Sequence, residues 1–178
     1  MIWLVVIVIF IIGVIWLLAR AGAPTAFDVV REIEIAAPAE KVWAVMMDGT
    51  RFAEWHPNVP GYSLSEGGKV GSEVVLHFEE APGGVLKFVR SHVSAFEEGR
   101  KMVWHSRLPF LANFIHHFEV VPVDNQHCRF RQYEEFTGLV WWLIKWLAPE
   151  GHPKNLKASV EAGHEAMNEA LKKYVEAQ

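Results

Sequence analysis

The stretch Val29-Val30-Arg31-Glu32-Ile33-Glu34-Ile35-Ala36, followed by Ala37-Pro38-Ala39-Glu40-Lys41-Val42-Trp43-Ala44-Val45-Met46, changes its period in the middle. Its first half alternates and is rich in β-branched residues, which predicts a strand. Pro38 then stands where a first helical turn tolerates a residue without an N–H, and the residues after it predict a helix. The domain thus opens as strand, then helix.

Working downstream, Asp48 is expected to cap a second short helix through Phe52 to Trp55, ended by Pro57 and the Pro60-Gly61 turn. The period then becomes two. Strands are predicted at Val70–Glu79, Val85–Phe96, Met102–Leu108, Asn113–Val123 and His127–Thr137, with an edge strand at Tyr62–Ser65. Short turns between successive strands make them antiparallel, and such a sheet needs a cover for its inner face. From Lys154 to Ala177 the residues Leu156, Val160, Gly163, Met167, Leu171 and Tyr174 recur at three- and four-residue spacing, so a long amphipathic helix is expected across the sheet. The fold class is α+β, a curved antiparallel sheet wrapped around a long C-terminal helix.

Upstream, Ile2 to Ala19 is a run of 18 uncharged residues, about 27 Å as a helix and enough to cross a bilayer. Trp3 and Trp16 sit near its ends, where indoles favour the headgroup region, and Arg20 follows at once. Ala21-Gly22-Ala23 resembles a signal-peptide cleavage site, but the basic leading region is missing and the apolar run is too long. A buried core helix would need partners on every face. The expected organisation is a transmembrane anchor at 1–20, a linker at 21–27 and a ligand-binding domain at 28–178. Arg20 and Arg31 follow the helix and no basic residue precedes it, which by the positive-inside tendency puts the domain on the cytoplasmic side of a single-pass membrane protein.

Composition narrows the function. With 17 basic and 21 acidic residues the net charge is −4, and the basic residues are scattered, so no nucleic-acid partner is expected. The lone Cys128 rules out an intrachain disulfide and any thiol-built zinc cluster. Among 9 histidines the densest pair is His116-His117, but neighbours on a strand point to opposite faces and cannot chelate one ion together. Neither a metal nor a cofactor is expected. Ser91, Ser94 and Ser106 lie in plain strand contexts without a nucleophile elbow, and no catalytic residue is assigned.

Four blocks carry a family resemblance: Ile35-Ala36-Ala37-Pro38-Ala39-Glu40-Lys41-Val42-Trp43, Phe52-Ala53-Glu54-Trp55-His56-Pro57, Phe136-Thr137-Gly138-Leu139, and Met167-Asn168-Glu169-Ala170-Leu171-Lys172. In these and in the element order, the chain from Val29 onward resembles the SRPBCC superfamily of START-like, helix-grip proteins, in its polyketide cyclase/dehydrase-like branch. The resemblance implies an apolar cavity between sheet and last helix that holds a lipid, isoprenoid or polyketide-like molecule, and it implies no universal catalytic motif. A membrane helix departs from most members and suggests a ligand taken from or kept near the bilayer.

Strand parity places Val74, Leu76 and Phe78, then Met102, Trp104, Ser106 and Leu108, then Phe114, His116 and Phe118, then Phe130, Gln132, Glu134 and Phe136 on the inner face. The ligand-lining residues expected from this face and the helices are Trp55, Leu76, Phe78, Trp104, His116, Phe118, Phe130, Gln132, Glu134, Gly163 and Met167. Gln132 and Glu134 are unusual there, because an inward carboxylate needs a partner. Either they orient a ligand's polar group, or Glu134 pairs with an arginine such as Arg90, or a bulge swaps the two faces. By the resemblance His56, beside Trp55, lies where such domains close one side of the cavity, so it is either an acid/base group of an enzyme or a simple loop histidine, and an enzyme could also use Glu134 and His116. Leu139 to Ala148, rich in Trp, suits an interfacial helix or a lid. The leading functional expectation is a membrane-anchored binder or carrier of a hydrophobic small molecule. The alternatives are a cyclase, dehydratase or hydrolase using the same cavity, and a membrane-tethered protein-interaction module.

Overall fold

The computed structural model describes residues 2–20, 25–56, 61–77, 90–108, 111–138, 140–141 and 152–178. The elements are α1 (Ile2–Arg20), β1 (Thr25–Ile35), α2 (Ala39–Met47), β2 (Gly61–Leu64), β3 (Glu73–His77), β4 (Arg90–Glu97), β5 (Lys101–Leu108), β6 (Ala112–Pro122), β7 (Cys128–Thr137) and α3 (His152–Glu176), with 3₁₀ turns at Phe52–Glu54 and Ser65–Gly67. All seven strands form one antiparallel sheet in the order β1-β7-β6-β5-β4-β3-β2. The chain thus runs as a meander from β2 to β7, and β1 returns to close the β7 edge. The helix-grip architecture read from the sequence is the one observed.

Three local expectations change. Residues 70–72, expected in a strand, precede β3, with a turn at Val70-Gly71. Thr25–Phe27, assigned to the linker, already belongs to β1. Asp48 does not cap the second helical turn, whose N-cap is Arg51 with no side-chain cap bond. Instead Asp48 accepts hydrogen bonds from Thr50 N (3.2 Å) and Oγ1 (2.6 Å) just after α2. A short acceptor two residues from a free N–H closes an Asx-type turn before it can serve a helix further on.

The grip is tied at α2 and the C-terminal half of α3. Tyr62 Oη donates to Met46 O (2.6 Å), and Trp43 Nε1 donates to Glu98 Oε1 (3.1 Å), fastening α2 to β2 and to the β4–β5 turn. Lys172 Nζ donates to Glu34 O (2.8 Å), Lys41 Nζ to Val175 O (2.9 Å) and Ala36 N to Glu176 Oε1 (2.7 Å). Arg31 pairs with Glu161 at 3.0 Å, so α3 lies along β1. Beneath these ties Ile35, Val42, Met46, Val93, Met102, Val120, Phe130, Leu171 and Val175 are fully buried in one core, the apolar burial that drives folding. Cys128 joins it, and burial pushes its thiol up to about 11, which keeps it protonated and inert.

α1 is a 19-residue helix whose Val5, Ile7, Ile9, Phe10 and Ile12 are all exposed. The side chains of residues 2, 4, 15 and 17–20 lie outside the description, and among the described residues no helix is long and apolar enough to cross a membrane. The transmembrane span expected from the sequence is therefore not shown by the structure.

Candidate functional site: a buried polar network at the open end of the grip

The inner face of the sheet is graded along its strands. On β6, Val120 and Phe118 are buried, whereas His116 and Phe114 are partly exposed. On β5, Met102 and Trp104 are buried and Ser106 is partly exposed, and on β7 Glu134 is partly exposed between the buried Gln132 and Phe136. The end under α2 is a packed core, and toward the N-terminal half of α3 burial is less complete, with Phe114, His116 and Glu134 partly exposed and Ala112 and Phe136 buried. At its rim Trp141 meets Phe27, Phe114 and Phe136 edge-on at 6.1, 5.2 and 5.4 Å. Trp141 thus packs on the inner-face aromatics; residues 139 and 142–148 of its segment lie outside the described residues.

Where closed core meets open end, polar side chains converge. Gln132, wholly buried, donates through Nε2 to Asn168 Oδ1 (2.6 Å) and accepts through Oε1 from His116 Nε2 (2.9 Å). One residue pair further out, Glu134 Oε2 accepts from His164 Nε2 at 3.1 Å. The His116 and His164 rings stack at 4.8 Å, and His116 also stacks on Phe118 at 4.1 Å. β6 and β7 supply His116, Gln132 and Glu134 because alternate residues share a face, and their registers set His116 opposite Glu134 and Phe118 opposite Gln132. A buried amide and carboxylate persist only with partners, and the helix brings them.

Electrostatics follow from this packing. Burial lowers His116 to about 4, so its imidazole is neutral at physiological pH. Burial alone would raise Glu134, but the hydrogen bond it accepts from His164 opposes that, and the carboxyl stays below its ordinary value. The site therefore presents an ionised carboxylate and a neutral imidazole on an aromatic wall. His164 Nδ1, Trp104 Nε1 and Trp55 Nε1 are buried without a hydrogen-bond partner among the described residues, three polar atoms able to meet a ligand's polar groups.

The residues expected to line the site divide into groups. Trp104, His116, Phe118, Gln132 and Glu134 are brought together here. Phe130 and Met167 are buried in the adjoining core, Trp55 packs on Phe52 at 4.5 Å below β2, and Leu76 is half-buried against the same core. Phe78 lies outside the described residues. Gly163 is a correction: it is exposed, and a Cβ there would meet nothing within 4 Å. The buried stripe of α3 is instead His164, Met167, Asn168, Leu171 and Val175, so a side chain at position 163 does not fill the grip. The arginine partner expected for Glu134 is likewise replaced by His164; Arg90 sits on β4, with β5 and β6 between it and β7. His117 points to the outer face, 3.5 Å from Glu135.

Sequence reasoning missed His164 and Asn168. The signal was present, since His164 precedes Met167 by three residues and Leu171 by seven, but the apolar neighbours Val160 and Met167 drew the stripe through Gly163 instead.

His56 stacks on Phe52 at 4.6 Å, and burial lowers it from 6.5 to about 4. Its neutral form is thus favoured by folding, and its contribution is complete above pH 6.5 and lost as pH falls through 4. In urea unfolding of the domain, the decline of stability between these pH values is expected to become shallower, by up to one proton's worth, in His56→Gln. An unchanged slope would show that His56 is solvated.

A curved sheet gripping one long helix, with polar groups on an aromatic inner wall, defines a START-like domain built around an internal site. Residues 26–176 match the sequence profile described as polyketide cyclase/dehydrase and lipid transport, and the chain belongs to that family. No match was found among curated protein sequences. Solved structures share the fold. The Zhui aromatase/cyclase from a Streptomyces species is 19% identical with a TM-score of 0.63, over 84% of this chain and 93% of that one. Norcoclaurine synthase from Thalictrum flavum, in complex with dopamine and hydroxybenzaldehyde, is 17% identical with a TM-score of 0.59, over 89% and 90%. A Thermobifida fusca protein is 23% identical with a TM-score of 0.61, over 83% and 92%.

Proposed function

We propose that this domain binds an apolar small molecule in the open end of the grip, with the ligand's polar end against Glu134 and His164, and that α1 holds the domain at the cytoplasmic face of a membrane. The observation that carries the binding reading is that a carboxylate, two imidazoles and an amide converge on the inner face, with Phe114, His116 and Glu134 only partly buried. A core closed to ligands has no use for polar groups there, because each costs desolvation without contributing packing. The membrane reading is supported by the continuous apolar sequence of 2–19 and by the exposed apolar side chains of α1. A second reading, a cyclase- or dehydratase-type enzyme, is favoured by one feature: a carboxylate that orients an imidazole whose other nitrogen is unpartnered.

The test uses the neutral fluorescent probe N-phenyl-1-naphthylamine with the detergent-solubilised full chain. The probe's fluorescence is expected to rise on binding, and its apparent affinity to drop at least tenfold in Ser106→Trp, which puts an indole on the inner face in place of the hydroxyl bonded to Ser91 (2.6 Å); far-UV circular dichroism checks that the variant is folded. Absence of probe binding by the parent, or equal binding by a folded Ser106→Trp, overturns the reading. For the anchor, deletion of 1–20 is expected to move the protein from the carbonate-resistant membrane fraction to the soluble one; a full chain extracted by carbonate defeats it.

A further inference from the structure

We propose that His116, Glu134 and His164 form a binding site for a divalent first-row transition ion such as Zn²⁺ or Co²⁺. The inference concerns the same Glu134 and His164 that the hydrophobic-ligand reading sets against the ligand's polar end, and it is tested by metal binding, not by probe binding.

The three residues come from β6, β7 and α3, and one donor atom from each lies within 4.8 Å of the others. Two imidazoles and a carboxylate suit this class of ion, whereas Mg²⁺ and Ca²⁺ prefer oxygen donors alone. His164 Nε2 and Glu134 Oε2 are 3.1 Å apart. Two donors sharing a tetrahedral ion at about 2.1 Å each stand roughly 3.4 Å apart, so this pair needs almost no rearrangement to take one. The third donor has to close in by an ångström or so. Because the His116 and His164 planes are only 18° apart, one ring must also turn about its Cβ–Cγ bond before both lone pairs meet a single point.

A second, independent observation concerns the groups behind the donors. A metal-bound histidine characteristically gives its other ring N–H to an oxygen that fixes tautomer and orientation. His116 Nε2 is held in this way by Gln132 Oε1 at 2.9 Å, and the Gln132 amide is itself fixed because its Nε2 donates to Asn168 Oδ1 at 2.6 Å. The arrangement puts the proton of His116 on Nε2 and leaves Nδ1 as its lone pair. On His164 the atom not facing Glu134, Nδ1, is buried and has no partner among the described residues. The backing behind His116 is of the kind a metal-bound imidazole uses, whereas His164 has none among the described residues.

The measurement is Co²⁺ titration of tag-free, chelator-treated full chain in detergent, read by visible absorption between about 500 and 700 nm, where a four- or five-coordinate nitrogen–oxygen site absorbs and hexaaquo Co²⁺ scarcely does. One equivalent is expected to saturate the band, and one equivalent of Zn²⁺ to abolish it. Glu134→Gln, which keeps side-chain volume nearly constant, and His164→Phe, which removes both ring nitrogens, are expected to remove the band. Asn168→Ala, which releases Gln132, is expected to weaken binding about 10- to 100-fold. His92→Ala, at an outer-face histidine, serves as a control and should leave the titration unchanged. Far-UV circular dichroism checks that each variant is folded. No band with the parent, or an undiminished band in folded His164→Phe or Glu134→Gln, overturns the proposal.

Discussion

Replacing Gly138 by alanine is expected to destabilise the domain by about 3 kcal/mol, a large share of the stability of a domain this size. Gly138 ends β7 with φ +120°, a conformation open only to glycine. An added Cβ would lie 2.6 Å from Leu111 O and 2.8 Å from Ala112 Cα. Both are backbone atoms and neither can retreat. Leu111 O accepts from Val140 N at 3.0 Å, and Ala112 is in register with Leu108 at the start of β6. The same crossing sets Trp141 over Phe136 and Phe114, so the substitution should also loosen the rim. Gly99 is the control, because its φ is +74° and its Cβ would meet nothing within 4 Å; Gly99→Ala carries only the left-handed strain, about 1 kcal/mol. Urea unfolding followed by circular dichroism checks both, and equal costs at the two positions would remove the steric argument for Gly138.

The second large effect tests whether the grip has a closed and an open end. Phe130→Ala is expected to cost about 4 kcal/mol, because the ring is fully buried, stands between Ile33 of β1 and Val120 of β6, and would leave a cavity in packed surroundings. Phe114→Ala, on the same inner face, is expected to cost only about 1 kcal/mol, since that ring is already partly exposed and loses chiefly its contacts with Phe136 and Trp141. Comparable losses at both positions would mean that the end around His116 and Glu134 is packed as tightly as the core, which removes the room that a ligand requires.

The strands and the helix pair around Pro38 were legible in the sequence because their signals are local. Alternation in Val29–Ala36, the proline after it and the run of short strands from Lys101 to Thr137 are statements about neighbours one to four residues apart. Parity on β6 and β7 is equally legible, and it places His116, Gln132 and Glu134 on one face. The rotation of α3 was not. Its stripe is broad, with Leu156, Val160, Met167 and Tyr174 along one flank and His164, Asn168, Leu171 and Val175 along the other. Which flank turns inward depends on the docking against β1 through Arg31–Glu161 and Lys172–Glu34.

The consequence for the site is direct. From the sequence by itself Glu134 was an inward carboxylate in need of a partner, and nothing local named that partner, since His164 is 30 residues further on. Asn168 lies 36 residues beyond Gln132, and their bond depends on the same docking. Periodicity along a single element decides what faces inward, because side-chain direction is a property of backbone geometry. Which inward groups meet is decided only when two elements pack, because a hydrogen bond tolerates a few tenths of an ångström and a helix turned by one residue swings its side chains through about 100°.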